Sequence, residues 1–321
     1  MPKTERHECL IPPELSGERL DQALARLLPD YSRERLKRWI KDGAVTLNER
    51  TPRPRDHVAG GDLVRLNAVF EAETPMRPEA LPLDVIYEDG AVIVVNKPAG
   101  LVVHPGAGNP AGTLQNALLH HAPELVHVPR AGIVHRLDKE TSGLLVVARS
   151  IKAHTRLVEA LAERQVKRQY EAVAVGVMTA GGVVDAPIGR HRSDRVRMAV
   201  QDGGRPAVTH YRVIERFRGH TYISVELETG RTHQIRVHLA HARYPLVGDP
   251  VYGRRLTVPK GADEETIDTL RAFKRQALHA RQLGFVHPDS GEPVSFKAPL
   301  PEDMRSLLEV LRRDAAAHAG S

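Results

Sequence analysis

Residues 70–83 read FEAETPMRPEALPL, a stretch rich in Pro, Glu and Ala with no apolar periodicity. A segment like this has no apolar face to bury and reads as a linker, so the regions on either side must fold around separate cores. Ahead of it the chain is short and basic. In GERLDQALARLLPD, Leu20, Leu24, Leu27 and Leu28 recur at helical spacing until Pro29 and Asp30 end the pattern, which predicts an amphipathic helix. A second helix begins at the capping residue Ser32, carries Leu36, Trp39 and Ile40 inward, and closes at Gly43. Two strand-like pieces, AVTLN and DLVRL, follow around the polar turn NERTPRPRDHVAGGD. Behind the linker strands predominate: DVIYE and AVIVVN flank Asp89-Gly90, a hairpin signal, and LLVVA, QYEAVAVG, THYRVIERF and TYISVELE come after. Helical periodicity is clearest at IKAHTRLVEALAER, capped by Ser150, at THQIRVHLAHAR, with Thr232 as its expected cap, and at the C-terminal EDMRSLLEVLRR. The expected class is α+β. A large domain on a mixed, largely antiparallel sheet covers residues 83–315, a small domain covers 16–69, a linker covers 70–82, and tails cover 1–15 and 316–321.

Charge and cysteine usage narrow the setting. Lys and Arg number 46 against 40 acids in 321 residues, a formal net charge of +6, which favours an anionic partner such as nucleic acid. Much of the excess lies in the small domain, where eight Lys/Arg face three acids between residues 31 and 55. The lone cysteine, Cys9, rules out an internal disulfide and a cysteine metal cage, and fits a reducing compartment. MPKTERHECLIPPEL has no apolar core for a signal peptide, and no apolar run approaches the roughly 20 residues that span a bilayer. A soluble, cytoplasmic protein without membrane contact is expected, acting as a monomer.

Two familiar signatures are weak here. HPGAGNPAG offers Gly106, Gly108 and Ala111 in a loose dinucleotide pattern, but Pro110 intervenes and no parallel βαβ unit surrounds it, so an ordinary turn is expected. Of His233, His238 and His241 only the last two share a helical face and no acid or cysteine completes a set, so no metal is expected. VHRLDKETSGLLVVARS is more informative. Asp138 sits between Arg136 and Lys139 in a loop entering the strand LLVVA, where small Ser142 and Gly143 would let a ligand approach. Two readings stay open on these residues: a working carboxylate, or a loop aspartate paired with a neighbouring base. In ETGRTHQIRVHLAH, Arg231 stands at a helix entry and Arg236 one turn in, able to reach an acid from another segment and keep it ionised.

HRLDKETSGLLVVA closely resembles the signature of the RluA family of pseudouridine synthases, and NKPAGLVVHPG, VKRQYEAVAVG, ETGRTHQIRVHLA, GDPVYG and RQALHA follow the family's other stretches in order. Arg168 departs mildly, standing where a lysine is usual before the tyrosine. SRERLKRWIKDGAVTLN, with GERLD ahead of it, resembles the αL RNA-binding module of a small-subunit ribosomal protein, which makes the RluD-type branch, acting on large-subunit ribosomal RNA, the nearest match. The resemblance implies that Asp138 isomerises uridine to pseudouridine in rRNA or a pre-ribosomal particle. Substrate and product are isomers, so no cofactor is implied. It further implies that Arg136 fills the gap left by a flipped nucleotide or holds that nucleotide's phosphate, since a stacked base cannot be reached. Tyr170 would stack on the uracil and assist removal of the C5 proton, Arg236 would pair with Asp138, and Ile235 would wall the pocket beside Arg231. Arg33, Arg35, Lys37, Arg38 and Lys41 on the basic helix, and Arg190, Arg192, Arg195 and Arg197 in GRHRSDRVRM, are expected phosphate contacts. A non-catalytic rRNA-binding assembly factor is the competing expectation, although binding alone needs no acid facing a phosphate-rich ligand.

Overall fold

A computed structural model describes residues 3–29, 31, 33–70, 77–106, 108–194, 197–253 and 255–319. The chain divides into two units, Met1–Met76 and Arg77–Ser321, each with its own apolar core.

In the first unit the leucine spacing produces α1 (Leu20–Leu27) and α2 (Arg33–Lys41), which bury Leu20, Leu24, Leu36 and Ile40 in one cluster. Gly43, at φ 76°, takes the left-handed conformation that ends α2, while its expected cap Ser32 lies outside the described residues. Three antiparallel strands close the unit in the order β1 (Lys3–Leu10), β3 (Leu63–Phe70), β2 (Val45–Leu47). The expected N-terminal tail is therefore corrected: residues 3–10 pair with β3 from Lys3↔Phe70 to Leu10↔Leu63, and Ile11 and Leu15 beyond them are buried. KTERHECL has almost no apolar alternation, and it is the open backbone edge of β3 that recruits it.

In the second unit the remaining strands are β4 (Val85–Glu88), β5 (Val92–Lys97), β6 (Ser142–Ala148), β7 (Lys167–Val175), β8 (Gly182–Asp185), β9 (Ile188–Arg190), β10 (Met198–Val200), β11 (Val208–Arg216), β12 (His220–Leu227), β13 (Leu278–Val286) and β14 (Pro293–Lys297). The helices are α3 (Leu114–His121), α4 (Ile151–Ala162), α5 (Gln234–His241), α6 (Glu264–Ala272) and α7 (Glu302–Ala317). Nine strands form the main sheet in the order β4-β5-β6-β13-β7-β12-β11-β8, with β14 also on β13. Among the described residues only β6 and β13 pair in parallel, so the sheet is mixed and largely antiparallel, as expected. Both faces are covered, which explains the unbroken apolar run in β5. Ile93 and Val95 face the cluster holding Leu114, Leu118 and Leu239, and Val92 and Val94 face the one holding Leu157. Asp89 turns the β4–β5 hairpin by accepting the Ala91 and Val92 N–H groups, each at 2.8 Å.

The boundaries shift from those expected. Of the linker, residues 71–76 lie outside the described residues, and 77–79 are tied to the second unit. The Arg77 carbonyl accepts from Asn116 Nδ2 at 2.8 Å, and the Glu79 N–H donates to the Asn116 carbonyl at 3.0 Å. At the other end α7 continues to Ala317, because Met304, Leu307, Leu308 and Leu311 bury one face of it.

Candidate active site

The loop from Ile133 to Thr141 enters β6, the fully buried strand beside β13. Ile133 and Leu137 are buried and anchor it from within, and the Asp138 carbonyl accepts the Thr141 N–H at 3.1 Å to form a turn. Lys97, only 1% exposed, fastens the loop from the end of β5. Its ammonium donates to the Pro98, Leu101 and Lys139 carbonyls at 2.8, 2.9 and 2.9 Å, while burial lowers its pKa to about 7. Ser142 and Gly143 do not open the site to a ligand, and that expectation is corrected. Ser142 is buried against His279 Nδ1 at 3.0 Å, and a Cβ on Gly143 would lie 2.3 Å from the Ala280 carbonyl oxygen, so the glycine serves the parallel β6–β13 contact.

Asp138 lies in a cavity of about 540 Å³ also lined by Arg136, Arg168, Tyr170, Arg231, Ile235 and Arg236. Arg236 Nη1 donates to Asp138 Oδ2 at 2.9 Å, while its Nε and Nη2 grip Asp249 in a bidentate pair at 2.8 and 2.9 Å. Burial alone would disfavour the guanidinium charge, but the two carboxylates outweigh it and raise the pKa. Asp249 is fixed in turn by the N–H groups of Val251 and Tyr252 at 2.9 and 3.0 Å. Burial opposes its ionisation, yet Arg236 and these N–H groups hold it below the usual carboxylate range. The second oxygen of Asp138 has a looser neighbour, His233 Nε2 at 3.9 Å. The Tyr252 hydroxyl accepts the Met198 N–H at 2.8 Å and lies 2.8 Å from His233 Nδ1; donating its own proton there leaves the Nε2 hydrogen toward Asp138. Burial depresses the His233 pKa, so the ring is neutral.

Tyr170 on β7 is 6% exposed and lines the same cavity, and among the described residues its hydroxyl has no hydrogen-bond partner. Burial raises its pKa and keeps the phenol protonated near neutrality. Two residues earlier on the strand, Arg168 shares its face and also lines the cavity. His135 lies nearby with its Nε2 accepting the Val146 N–H at 3.2 Å, and burial followed by the charge of Arg168 lowers its pKa to about 3.

The sequence-expected residues separate into two groups. Asp138, Tyr170, Arg236, Arg136, Ile235 and Arg231 converge on the one cavity, with Arg136 exposed at its surface and Arg231 Nε donating to the Pro206 carbonyl at 3.1 Å. Arg190 and Arg192 belong to the β9–β10 hairpin and lie outside the cavity lining, and Arg195 is outside the described residues. Arg197 stacks 5.5 Å from the centre of the Tyr252 ring. On α2, Arg35, Arg38 and Lys41 are exposed, whereas Arg33 donates twice to buried Asp21, at 2.7 and 3.0 Å, with Lys37 at 3.9 Å. Arg33 thus has a structural task that the charge run did not disclose.

Thr232 is not the cap of α5. The helix starts at Gln234 after His233 at φ 57°, and the Gln234 side chain does the fastening, accepting from the Arg231 N–H and the Thr229 hydroxyl at 3.0 and 2.7 Å. His238 is buried between Thr209 and the Ala186 carbonyl, and no group of three or more metal-ligating side chains occurs among the described residues. Gly106 and Asn109 exchange both backbone hydrogen bonds in a tight turn. The sequence alone gives no role to Lys97, Arg168, His233, Asp249 or Tyr252, although NKPAGLVVHPG, VKRQYEAVAVG, ETGRTHQIRVHLA and GDPVYG contain them.

Comparison with known proteins places this geometry. Residues 91–241 match the family described as RNA pseudouridylate synthase, and residues 18–64 match the S4 domain. The chain is 56% identical over 312 residues to the ribosomal large subunit pseudouridine synthase D of Xanthomonas campestris pv. campestris, covering 97% of this chain and 94% of the relative. It is 58% identical over 303 residues to the protein of the same name from Escherichia coli K12, covering 94% and 93%. Among solved structures, Human RNA Pseudouridylate Synthase Domain Containing 4 is 30% identical with a TM-score of 0.56, covering 71% of this chain and 93% of that one. With Asp138 and Arg236 lining a cavity that lies wholly within the larger unit and Asp249 holding the arginine, the protein belongs to the RNA pseudouridylate synthase family and carries an S4 domain ahead of its catalytic unit.

Proposed function

We propose that the protein converts uridines of large-subunit ribosomal RNA to pseudouridine, as a cytoplasmic monomer, with Asp138 as the catalytic carboxylate. The observation that carries this reading is the half-satisfied state of Asp138: one oxygen is held by Arg236 at 2.9 Å, and the other faces a cavity roomy enough for a flipped base. A carboxylate held in this way is aimed without being used up, which suits attack on the nucleotide or removal of a sugar proton. The N1–C1′ bond breaks, the uracil turns, the C5–C1′ bond forms, the C5 proton leaves to solvent, and N1 takes up a proton in its place. Atoms balance without a cofactor.

Tyr170 and Ile235 wall the base, and Arg136 is placed at the surface to replace it in the RNA. Because the phenol stays protonated, Tyr170 assists loss of the C5 proton by relay through a water while stacking on the uracil. Arg35, Arg38 and Lys41, together with Arg190 and Arg192, contribute phosphate contacts away from the reacting base. The name shared by the relatives from Xanthomonas campestris and Escherichia coli supports the choice of large-subunit rRNA.

Large-subunit rRNA carrying tritium at uracil C5 provides the test: the protein releases label to water, whereas a binding factor without catalysis releases none. Under single turnover Tyr170→Phe should form rearranged RNA yet release label slowly. Release at the wild-type rate would reduce the tyrosine to a stacking surface.

A further inference from the structure

Of the arginines that line the cavity, Arg168 combines the lack of a counter-charge with a buried N–H that has no hydrogen-bond partner. Arg168 lies on β7 two residues before Tyr170, and its buried Nε has no hydrogen-bond partner. Among the described residues no ion pair or hydrogen bond engages its guanidinium. No nearby acid among them bonds to it, and each has another partner. Asp138 is bonded to Arg236, Asp249 binds the same arginine twice, and Glu228, just before the loop that packs on Arg168, pairs with Arg164 and His210 at 2.7 Å each. His135 beside it is neutral and so adds no charge of either sign. The backbone makes room for the group at Gly230, where a Cβ would sit 2.8 Å from Arg168 Nη1.

Building on the proposed function, we infer that Arg168 binds a phosphate of the RNA backbone directly flanking the isomerised uridine. A partly buried guanidinium left without an anion is unfavourable, so the cavity is incomplete until one arrives. RNA brings phosphates, and a planar fork of N–H donors matches a phosphate better than the neutral carbonyls of uracil do. Spacing agrees with this. Residues two apart on a strand face lie about 7 Å from each other, so a base stacked on Tyr170 brings its own phosphodiester within reach of Arg168. The residue therefore positions the nucleotide by its backbone and takes no part in breaking bonds.

The test uses the full chain and a short RNA stem-loop with one uncharged methylphosphonate, placed either 5′ or 3′ of the target uridine. Arg168→Gln should raise KM by 10- to 100-fold with kcat changed only a few-fold, and should make the salt dependence of binding shallower by roughly one phosphate contact. Arg168→Lys should recover part of the loss, since it restores the charge without the fork. On one of the two methylphosphonate RNAs, wild type and Arg168→Gln should become equal. Gly230→Ala, which pushes the guanidinium aside, should weaken binding in the wild-type background and not in Arg168→Gln. Binding is measured directly by titration, so the contact is read even if no label is released, and failure of the isomerase reading stays distinct. An undiminished penalty on both modified RNAs, or an unchanged KM in Arg168→Gln, would overturn the assignment.

Discussion

Each unit of this molecule places an aspartate against arginine, and the two pairs are built to opposite ends. In the small unit Asp21 is fully buried and saturated, with Arg19 donating to both its oxygens at 3.0 and 3.1 Å and Arg33 adding two more bonds. In the catalytic unit Asp138 keeps 17% of its side chain exposed and receives one strong bond, because Arg236 spends its other two on Asp249. The saturated carboxylate locks α1 to α2. The unsaturated one is held in place and still has an oxygen to give. Asp249 is what makes this possible: it fixes Arg236 from behind, so that the arginine can present a single N–H to Asp138 without being drawn around it.

If the contrast is correct, the two aspartates should fail in different measurements. Asp138→Asn keeps the shape and removes the charge, so turnover should fall by about 10³-fold or more while the melting transition moves little. Tritium release and thermal denaturation on one preparation decide this, and turnover near the wild-type level would end the reading. Asp21→Asn should do the reverse. It leaves Arg19 and Arg33 facing a neutral group and should destabilise the small unit by about 3 kcal/mol, seen as an early unfolding step. Turnover of a minimal stem-loop should be nearly unchanged, and turnover of structured rRNA reduced.

A smaller effect should come from Lys97, whose ammonium pins the Asp138 loop from inside. Its pKa in the folded chain, about 7, lies below the value of 10.5 in the unfolded chain, so between these the unfolded state binds more protons and stability rises with pH. The catalytic unit should gain about 2 kcal/mol from pH 7 to 9 through this group, lost again as pH returns to 7. Denaturant titration at the two pH values checks it, and Lys97→Met should flatten the difference. The smallest effect is expected from Tyr252→Phe. It removes the hydroxyl between Met198 and His233 but keeps the ring whose centre lies 5.0 Å from the Arg236 guanidinium. Turnover should drop about threefold to tenfold with no loss of RNA affinity. A loss as large as that of Asp138→Asn would promote His233 from a positioning group to a participant.

Local readings of the chain survived where the physics is local. The Asp89-Gly90 hairpin, the leucine faces of α1 and α2 and the Ser150 cap of α4 each depend on neighbours a few residues away, and the structure has them all. Readings failed where a local cue stood in for a distant partner. Thr232 looks like a cap, but Gln234 supplies the fastening by reaching Val208 and Thr209 on another strand. Ser142 and Gly143 look like an open loop, but β13 closes over them. Residues 3–10 look like a tail, but β3 offers an edge.

By itself the sequence determined that two cores flank a proline-rich break, that strands dominate the second, and that Asp138 stands in a loop at the start of a buried strand. Only the tertiary structure decided what that aspartate touches. Asp138 and Arg236 are 98 positions apart, and bringing them to 2.9 Å depends on how β6, β7 and β13 order themselves in the sheet. The same ordering leaves Lys97 with three carbonyls and Arg168 with no anion. Periodicity records which face of an element is apolar; the charge balance of a cavity is a sum over elements far apart in the chain, and it exists only once they are packed.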